Sequence, residues 1–339
     1  MDLSVQNKTR VSIIIPAYNC GISLGKCLQS LQRSNYPIHE TIVVDDYSTD
    51  NTVKVAESYS VTVIESTENK NANSRRNEGA LLASGEILLF IDSDVLVLPD
   101  TVKNIVDIFN RNELDAVVGL YAIPNKQSNL ATKYKNIWIR YSYLKTKLTV
   151  DWIFGAVSAI KREAFIALEG FNTKLHSQHG IDDIELGKRM SKLNYKIELN
   201  PNVVVEHLKE FKLMGLLKND FNRSYWFVKL AASNHQLKDA PTKGFVNIYP
   251  SFIYSTVLVW PLIITFLLSF VYHPTAVLFF ILVITYHRLN YRFLKYFKKH
   301  YDLLNAVGVF FIIFWDHLSC SLGVIQGLLA WTLNKIILK

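Results

Sequence analysis

From Gly244 to Tyr286 the chain carries no Asp, Glu, Lys or Arg. A run of that length exceeds the ~20 apolar residues that one bilayer crossing needs. Inside hydrocarbon every backbone N–H and C=O must be satisfied within the protein, which favours helices for such a run. The residues before it mix charged and apolar types in ordinary proportion. Two domains are therefore expected: residues 1–243 outside the bilayer and a membrane domain over 244–339. The first span is expected at about 249–272. Tyr272-His273-Pro274 suits a tight turn, and a second span follows at about 275–294. Arg288, Arg292, Lys295 and Lys299 then recur at helical spacing, and the positive-inside rule puts them in the cytoplasm. A hairpin of two crossings returns the chain to the side of the first domain. This predicts a multi-pass membrane protein with residues 1–243 on the cytoplasmic face. Residues 306–331 are long enough for a third span, but Asp316, His317 and three glycines leave an interfacial or re-entrant helix as the alternative.

The opening MDLSVQNKTR has no apolar run, so no signal peptide is expected. Cys20, Cys27 and Cys320 are too few and too scattered for a disulfide framework or a zinc site. The formal charge is +8. Basic residues beside a membrane span suit anionic head groups better than nucleic acid, so membrane lipids are expected partners and nucleic acid is not. The stretch HLKEFKLMGLLKNDFNRSYWFVKL (207–230) is amphipathic, basic and aromatic, as a helix lying at the membrane interface would be.

In the first half, short apolar runs alternate with amphipathic ones. VSIIIP (11–16), TIVVDD (41–46), VTVIES (61–66) and EILLFID (86–92) read as strands buried on both faces. GISLGKCLQSLQ, NTVKVAESY and NANSRRNEGALLAS between them have helical spacing. The rhythm predicts an α/β fold, a Rossmann-like and mostly parallel sheet with helices on both faces. Ligands of such sheets bind beyond the carboxyl ends of the strands, where strand order switches. Asp45, Asp46, Asp92 and Asp94 all fall at those ends. Further on, IDDIELGKRMSKL (181–193) reads as a helix, and YKIELNP and VVVEHL as two short strands.

The stretch LLFIDSDVLVL (88–98) poses the chemical question, because unpaired buried carboxylates are costly. On extended backbone, carboxylates at i and i+2 share a face. Asp92 and Asp94 would then converge on a hard cation such as magnesium or manganese, which keeps open positions for phosphate oxygens. Taken alone, Asp-x-Asp is as readily explained by Asp94 or Asp100 capping the helix that begins near Pro99. For Asp45 and Asp46 the plain alternative is a turn and an N-cap, although Asp50 can supply that cap. An acidic first helical turn that suits the macrodipole would account for Asp182 to Glu185.

Five segments occur in one order: VSIIIPAYNCG, TIVVDDYSTDNT, NSRRNEGALLASGEILLFIDSD, FGAVSAIKREAFIALEGFN and GIDDIELGKRM. Together, from about Val11 to His207, they resemble the family 2 glycosyltransferases, which adopt the GT-A fold. The resemblance implies that Pro16, Ala17, Tyr18 and Asn19 wrap the nucleotide base and that Asp46 accepts a hydrogen bond from it. Arg76 matches the arginine of the family's Ala-Arg-Asn segment and would contact the nucleotide; Arg75 stands where the alanine usually is. Asp92, with Ser93 beside it, would hydrogen-bond the ribose of the donor or assist the metal. Asp94 would coordinate the metal, joined by His207. Asp183 matches the catalytic base of the Glu-Asp pair, with Asp182 in place of the Glu. Asp182 is also a candidate phosphate or acceptor contact, and its charge would raise the pKa of Asp183. A carboxylate within reach of the acceptor hydroxyl can take its proton during inversion.

Processive relatives carry Gln-x-x-Arg-Trp after the base. This chain has Asp220-Phe221-Asn222-Arg223, with Trp226 nearby, which argues against a polymerase and leaves Arg223 and Trp226 as phosphate, acceptor or lipid contacts. The expected protein is a membrane-anchored, inverting, hexosyl-type glycosyltransferase that uses a UDP- or GDP-sugar and a divalent cation (Mn or Mg). Its acceptor would be membrane-associated, polyprenyl-linked or a glycan. The segment Leu175–Gly180 is the candidate for closing over substrate. A sugar nucleotidyltransferase and a catalytically silent GT-A-like membrane scaffold are the rival readings. The first would show a Gly-rich phosphate loop where Pro16 to Asn19 stand, and the second needs neither Asp94 nor Asp183.

Overall fold

The structure, a computed structural model, describes residues 8–124, 127–173, 181–233 and 235–337. The chain divides into two compact units, one running up to Ala122 and resuming over Lys147–Lys209, the other comprising Ile123–Thr146 and the chain from Glu210. The division falls elsewhere than at 243/244, because two amphipathic helices group with the C-terminal apolar ones. The segment Leu175–Gly180 lies outside the described residues.

The first unit opens with β1 (Val11–Ala17), α1 (Gly21–Leu31), β2 (Glu40–Asp45), α2 (Thr52–Glu57), β3 (Thr62–Glu65), α3 (Ala72–Leu82) and β4 (Ile87–Ile91). Then come β5 (Val95–Val97), α4 (Thr101–Arg111) and β6 (Ala116–Tyr121); α5 (Leu130–Leu144) belongs to the second unit. The first unit closes with β7 (Thr149–Val150), β8 (Val157–Lys161), α6 (Arg162–Ala167), α7 (Asp182–Lys192) and β9 (Ile197–His207). The strands form one sheet in the order β3-β2-β1-β4-β8-β6-β9-β5, with β7 pairing β9.

The half from β3 to β4 is parallel, as the alternating pattern predicts. The other half is mixed: β8 runs antiparallel to β4 and β6, and β5 and β7 run antiparallel to β9. Only β6 and β9 are parallel there. "Mostly parallel" thus holds for one half of the sheet. β1, β2 and β4 are buried almost throughout, whereas β3 is an edge strand with no buried residue. The two short strands expected around 195–208 are one strand, β9, which runs on through Pro201 with a register irregularity against β6.

LLFIDSDVLVL is not a single strand either. The chain leaves the central strand β4 at Ile91, turns at Ser93 and Asp94, and becomes β5 at the far edge of the sheet. The carboxylates therefore stand in a turn, not on the extended backbone from which convergence was argued.

The second unit contains α5, α8 (Leu213–Ser233), α9 (Ala240–Lys243), α10 (Pro250–Ser269), α11 (Thr275–Lys298) and α12 (Leu303–Ile337). Among the described residues three helices are long and apolar enough to cross a membrane: Pro250–Ser269, Thr275–Lys298 and Leu303–Leu333. The third is continuous, because its polar residues face inward. Tyr134 of α5 hydrogen-bonds Asp316, and the Tyr286 hydroxyl lies 2.7 Å from His317 Nδ1. Ionisable groups on apolar helices are tolerated when they face a bundle interior and are paired.

The helix expected over 207–230 begins at Leu213, since His207 ends β9. It packs lengthwise on α12. A Cβ on Gly323 would overlap the Phe221 backbone and one on Gly327 the Tyr225 carbonyl, while Ser319 Oγ donates to Leu217 O at 2.7 Å. Small residues at four-residue spacing permit this approach of two helix backbones.

Between α5 and α8, the Lys135 ammonium is paired with Asp220, both side chains being at most 6% exposed. Breaking such a pair leaves one buried charge uncompensated, at a cost of about 3–5 kcal/mol. Asp220→Ala is expected to lower the thermal midpoint of the detergent-solubilised chain markedly. Lys135→Met combined with Asp220→Leu should recover most of the loss, as read by a thermal melt of the three proteins.

Candidate active site

The carboxyl ends of β1, β2 and β4 lie side by side, with β1 between the other two. This is the switch in strand order where α/β sheets bind ligands. The turn after β1 is fixed to the turn after β2. Asn19, whose φ of 45° falls in the left-handed region that asparagine tolerates, accepts through Oδ1 from Thr49 N at 2.8 Å. Its own N–H donates to Ser48 Oγ at 2.9 Å. Tyr18 beside it is 52% exposed, which leaves its ring open for stacking. Asp50 accepts from Thr52 N at 2.9 Å and Gly21 N at 3.3 Å, joining the starts of α1 and α2. The cap at α2 therefore does not fall to Asp46.

Asp46 is nevertheless held. Its Oδ1 accepts from Arg75 Nε at 2.6 Å and from Lys70 N at 2.9 Å. Arg75, the residue in place of the expected alanine, also bridges Glu78 at 2.7 Å and donates to the Glu68 carbonyl at 2.5 Å. The adjacent arginines thus divide the site, with Arg75 on Asp46 and Arg76 on Asp92. Arg76 NH2 donates to Asp92 Oδ1 at 2.5 Å and to Gly155 O at 3.2 Å, and NH1 donates to Asn73 Oδ1 at 2.5 Å.

Gly155 N in turn donates to Asp183 Oδ2 at 3.0 Å, and Ile184 N donates to Asp183 Oδ1 at 2.9 Å. A chain of hydrogen bonds therefore runs from Asp92 through Arg76 and Gly155 to Asp183. Asp183 stands in the first turn of α7, where the macrodipole favours an anion. Gly187 lets α7 press against Trp152, whose backbone a Cβ there would overlap. Asn73 and Gly155 were not singled out in the sequence. Asn73 lies three residues before Arg76, on the same face of α3; Gly155, in a segment without charge, gave no signal.

Asp94 Oδ2 lies 3.6 Å from His207 Nε2. The β5–β9 pairing sets His207 opposite Val95, and its ring stacks on Tyr121 at 4.3 Å. An oxygen and an imidazole nitrogen so placed fit a small divalent cation, which commonly takes few protein ligands and completes its shell with phosphate oxygens and water. Asp94 faces His207 and does not cap α4; Asp100 occupies the N-cap position, but its carboxylate accepts from Asn35 Nδ2 at 2.7 Å and makes no capping hydrogen bond. Burial pushes the Asp92 pKa up, and the neighbouring Asp94 charge adds to this against the opposing Arg76. Burial works in the same sense on Asp94, but the hydrogen bond and charge of His207 outweigh it and hold the pKa below the usual carboxylate value. Ser93, in the turn between them, lies against the Cys20 thiol.

Asp182 departs from expectation. It is 1% exposed and its Oδ2 is held by Asn73 Nδ2, so it is no contact for phosphate or acceptor. Burial, then the Asp183 charge, lift its pKa to about 7. Arg223 and Trp226 belong to the second unit, on α8. The Arg223 guanidinium lies 5.2 Å from the Phe227 ring, and Trp226 holds the Lys229 ammonium 4.5 Å above its ring.

Between pH 4 and 7 folded Asp182 holds a proton that the unfolded chain, with an ordinary carboxyl near 3.8, has released. Its contribution to stability therefore falls as pH rises through that window. Asp182→Asn should flatten the decline, as read by thermal midpoints of both proteins from pH 4 to 8.

Residues 12–168 match the family model described as Glycosyl transferase family 2. Residues 136–213 match one described as the N-terminal domain of galactosyltransferase. The chain is 31% identical over 177 residues to an uncharacterized glycosyltransferase of Haemophilus influenzae, covering 51% of this chain and 60% of that protein. It is 26% identical over 228 residues to the poly(ribitol-phosphate) beta-N-acetylglucosaminyltransferase TarP of Staphylococcus aureus, covering 64% of this chain and 69% of that protein. Among solved structures, the mannosyltransferase PcManGT from Pyrobaculum calidifontis in complex with GDP-Man and Mn2+ superposes with a TM-score of 0.57. The two are 20% identical, and the match covers 95% of this chain and 87% of that one, a likeness of fold.

Proposed function

Residues 12–168 are a glycosyl transferase family 2 domain of GT-A fold, and on that premise we propose that the protein is an inverting glycosyltransferase. It would move a hexose from a UDP- or GDP-sugar to a membrane-associated acceptor, polyprenyl-linked or a glycan. One observation carries the reading: the bonds Asp92–Arg76–Gly155–Asp183 join two acidic clusters about ninety residues apart in sequence.

In this reading Pro16 to Asn19 and the side chain of Tyr18 cover the nucleotide base. Asp46, oriented by Arg75, accepts from a base N–H. Asp92, oriented by Arg76, takes the ribose side, with Ser93 beside it. Asp94 and His207 would hold a magnesium or manganese ion, which when bound offsets the charge that develops on the departing diphosphate. The ligands named for the mannosyltransferase of the same fold, GDP-Man and Mn2+, agree with this donor class.

Asp183 is the general base. Its carboxylate is held by the amides of Gly155 and Ile184, and it would accept the proton of the acceptor hydroxyl as that oxygen attacks the anomeric carbon opposite the leaving group. Asp182 is a positioning residue, buried behind Asp183 and tied to α3 through Asn73.

The apolar helices α10, α11 and α12, with the basic end of α11, support a multi-pass anchor that leaves the GT-A domain on the cytoplasmic face. The interfacial helix expected over 207–230 is α8, which begins at Leu213 and packs along α12; it would carry Arg223 and Trp226 toward a phosphate or acceptor.

The test is transfer and donor binding with a panel of UDP- and GDP-sugars, with and without manganese. Asp183→Asn should lower turnover about 100- to 10,000-fold, the range for loss of a general base, while donor binding stays close to that of the unaltered protein. Asp94→Ala should remove the manganese dependence of donor binding. Absence of nucleotide-sugar binding, together with indifference to Asp94→Ala, would sink the enzyme reading in favour of a silent scaffold.

A further inference from the structure

The turn joining α11 to α12 closes a cavity of about 260 Å3. Its lining includes Lys133 of α5, Lys298 and Lys299 from the end of α11, and His300, Asp302 and Asn305 around the start of α12. All belong to the second unit. Lys133 is 8% exposed. Its ammonium donates to Asn305 Oδ1 at 3.1 Å and lies 5.2 Å from the centre of the Tyr301 ring. Among the described residues no carboxylate lies within ion-pair distance of it. A buried charge is ordinarily paired; this one has a neutral amide oxygen, a ring face and, beyond ion-pair distance, the Asp302 carboxylate, whose pKa is lowered by the Asn305 hydrogen bonds and then by this charge.

The one carboxylate in the lining is already engaged. Asp302 Oδ1 accepts from Asn305 N at 2.8 Å and Asn305 Nδ2 at 2.7 Å, capping α12. His300 carries a buried Nε2 with no hydrogen-bond partner among the described residues. Burial, then the positive charges of Arg140 and Lys299, lower the His300 pKa. The ring is therefore neutral at pH 7 and offers an uncharged N–H in the Nε2–H tautomer. Three ammonium groups against one carboxylate leave the lining at a net charge of about +2. The start of the long helix α12 adds the favourable end of its dipole.

The occupant that this chemistry fits is a phosphate group. The cavity stands past the basic end of α11 and at the start of α12, whose apolar stretch begins at Leu303; if these helices cross a bilayer, this end faces its head groups. We propose that it binds the phosphate of an anionic phospholipid, with Lys133 as the buried counter-charge and Lys298 and Lys299 as the outer pair. The site is independent of the transfer reaction proposed above.

The test uses the full chain in neutral detergent, titrated with short-chain phosphatidylglycerol, short-chain phosphatidylcholine and inorganic phosphate. Phosphatidylglycerol should bind more tightly than phosphatidylcholine, and Lys133→Gln should weaken it about fivefold, the usual worth of one lysine at an anionic surface. The exposed pair Lys298→Ala/Lys299→Ala, which leaves the core untouched, should weaken it further than either single change and serves where Lys133→Gln fails to fold. Unchanged phosphatidylglycerol affinity in the exposed double variant overturns the proposal. So does inorganic phosphate competing at equal affinity, since the ligand would then be a free anion and not a lipid.

Discussion

The Arg76 guanidinium is the interaction on which the arrangement of the first unit depends. It is 7% exposed, and a buried guanidinium is costly unless its charge is met by partners. Its donors reach Asp92 at the end of β4, Asn73 on its own helix and the Gly155 carbonyl. Through Gly155 it also fixes the loop whose amide holds Asp183. One buried cation thus sets the relative positions of a strand end, a helix and a loop. Each of them carries a carboxylate or holds one in place, and without a cation between them those charges would repel. The planar fork of arginine suits this task in a way that the single ammonium of lysine does not.

The second unit solves a related problem with the same means. Helices of apolar composition gain little from burying more apolar surface against one another if lipid surrounds them. Their arrangement is instead specified by polar pairs, Lys135 with Asp220, Tyr134 with Asp316 and Tyr286 with His317. The close fit of Gly323 and Gly327 to the backbone of α8 adds to this. Asp316 and His317, which in the sequence count against a membrane-type helix, are among the residues that give the helix its partners.

Some of this is legible in the residues themselves. Continuous apolar runs place β1, β2 and β4 to within a residue or two, because burial on both faces demands such runs, and helical spacing does the same for α1 and α3. The parallel half of the sheet follows from that alternation. The charge-free run from Gly244 and the basic stretch after Tyr286 give the apolar helices. The antiparallel half is not legible, because strand direction there is set by which long-range pairings close the sheet. β5 shows the limit well: Val95 to Val97 resume the apolar run of β4 after only Asp92, Ser93 and Asp94, yet they pair at the far edge of the sheet.

For the candidate site, residue order and pattern make five side chains available, Asp46, Asp92, Asp94, Asp183 and His207, at the ends of recognisable elements and in the order of a known family. Tertiary structure alone decided how they are engaged. It assigned Arg75 to Asp46 and Arg76 to Asp92, buried Asp182 behind Asp183 with a pKa near 7, and brought His207 to 3.6 Å from Asp94. The physical reason is that a charge costs or gains free energy according to its partners and its exposure. Those are fixed by contacts between residues distant along the chain, which local pattern does not record.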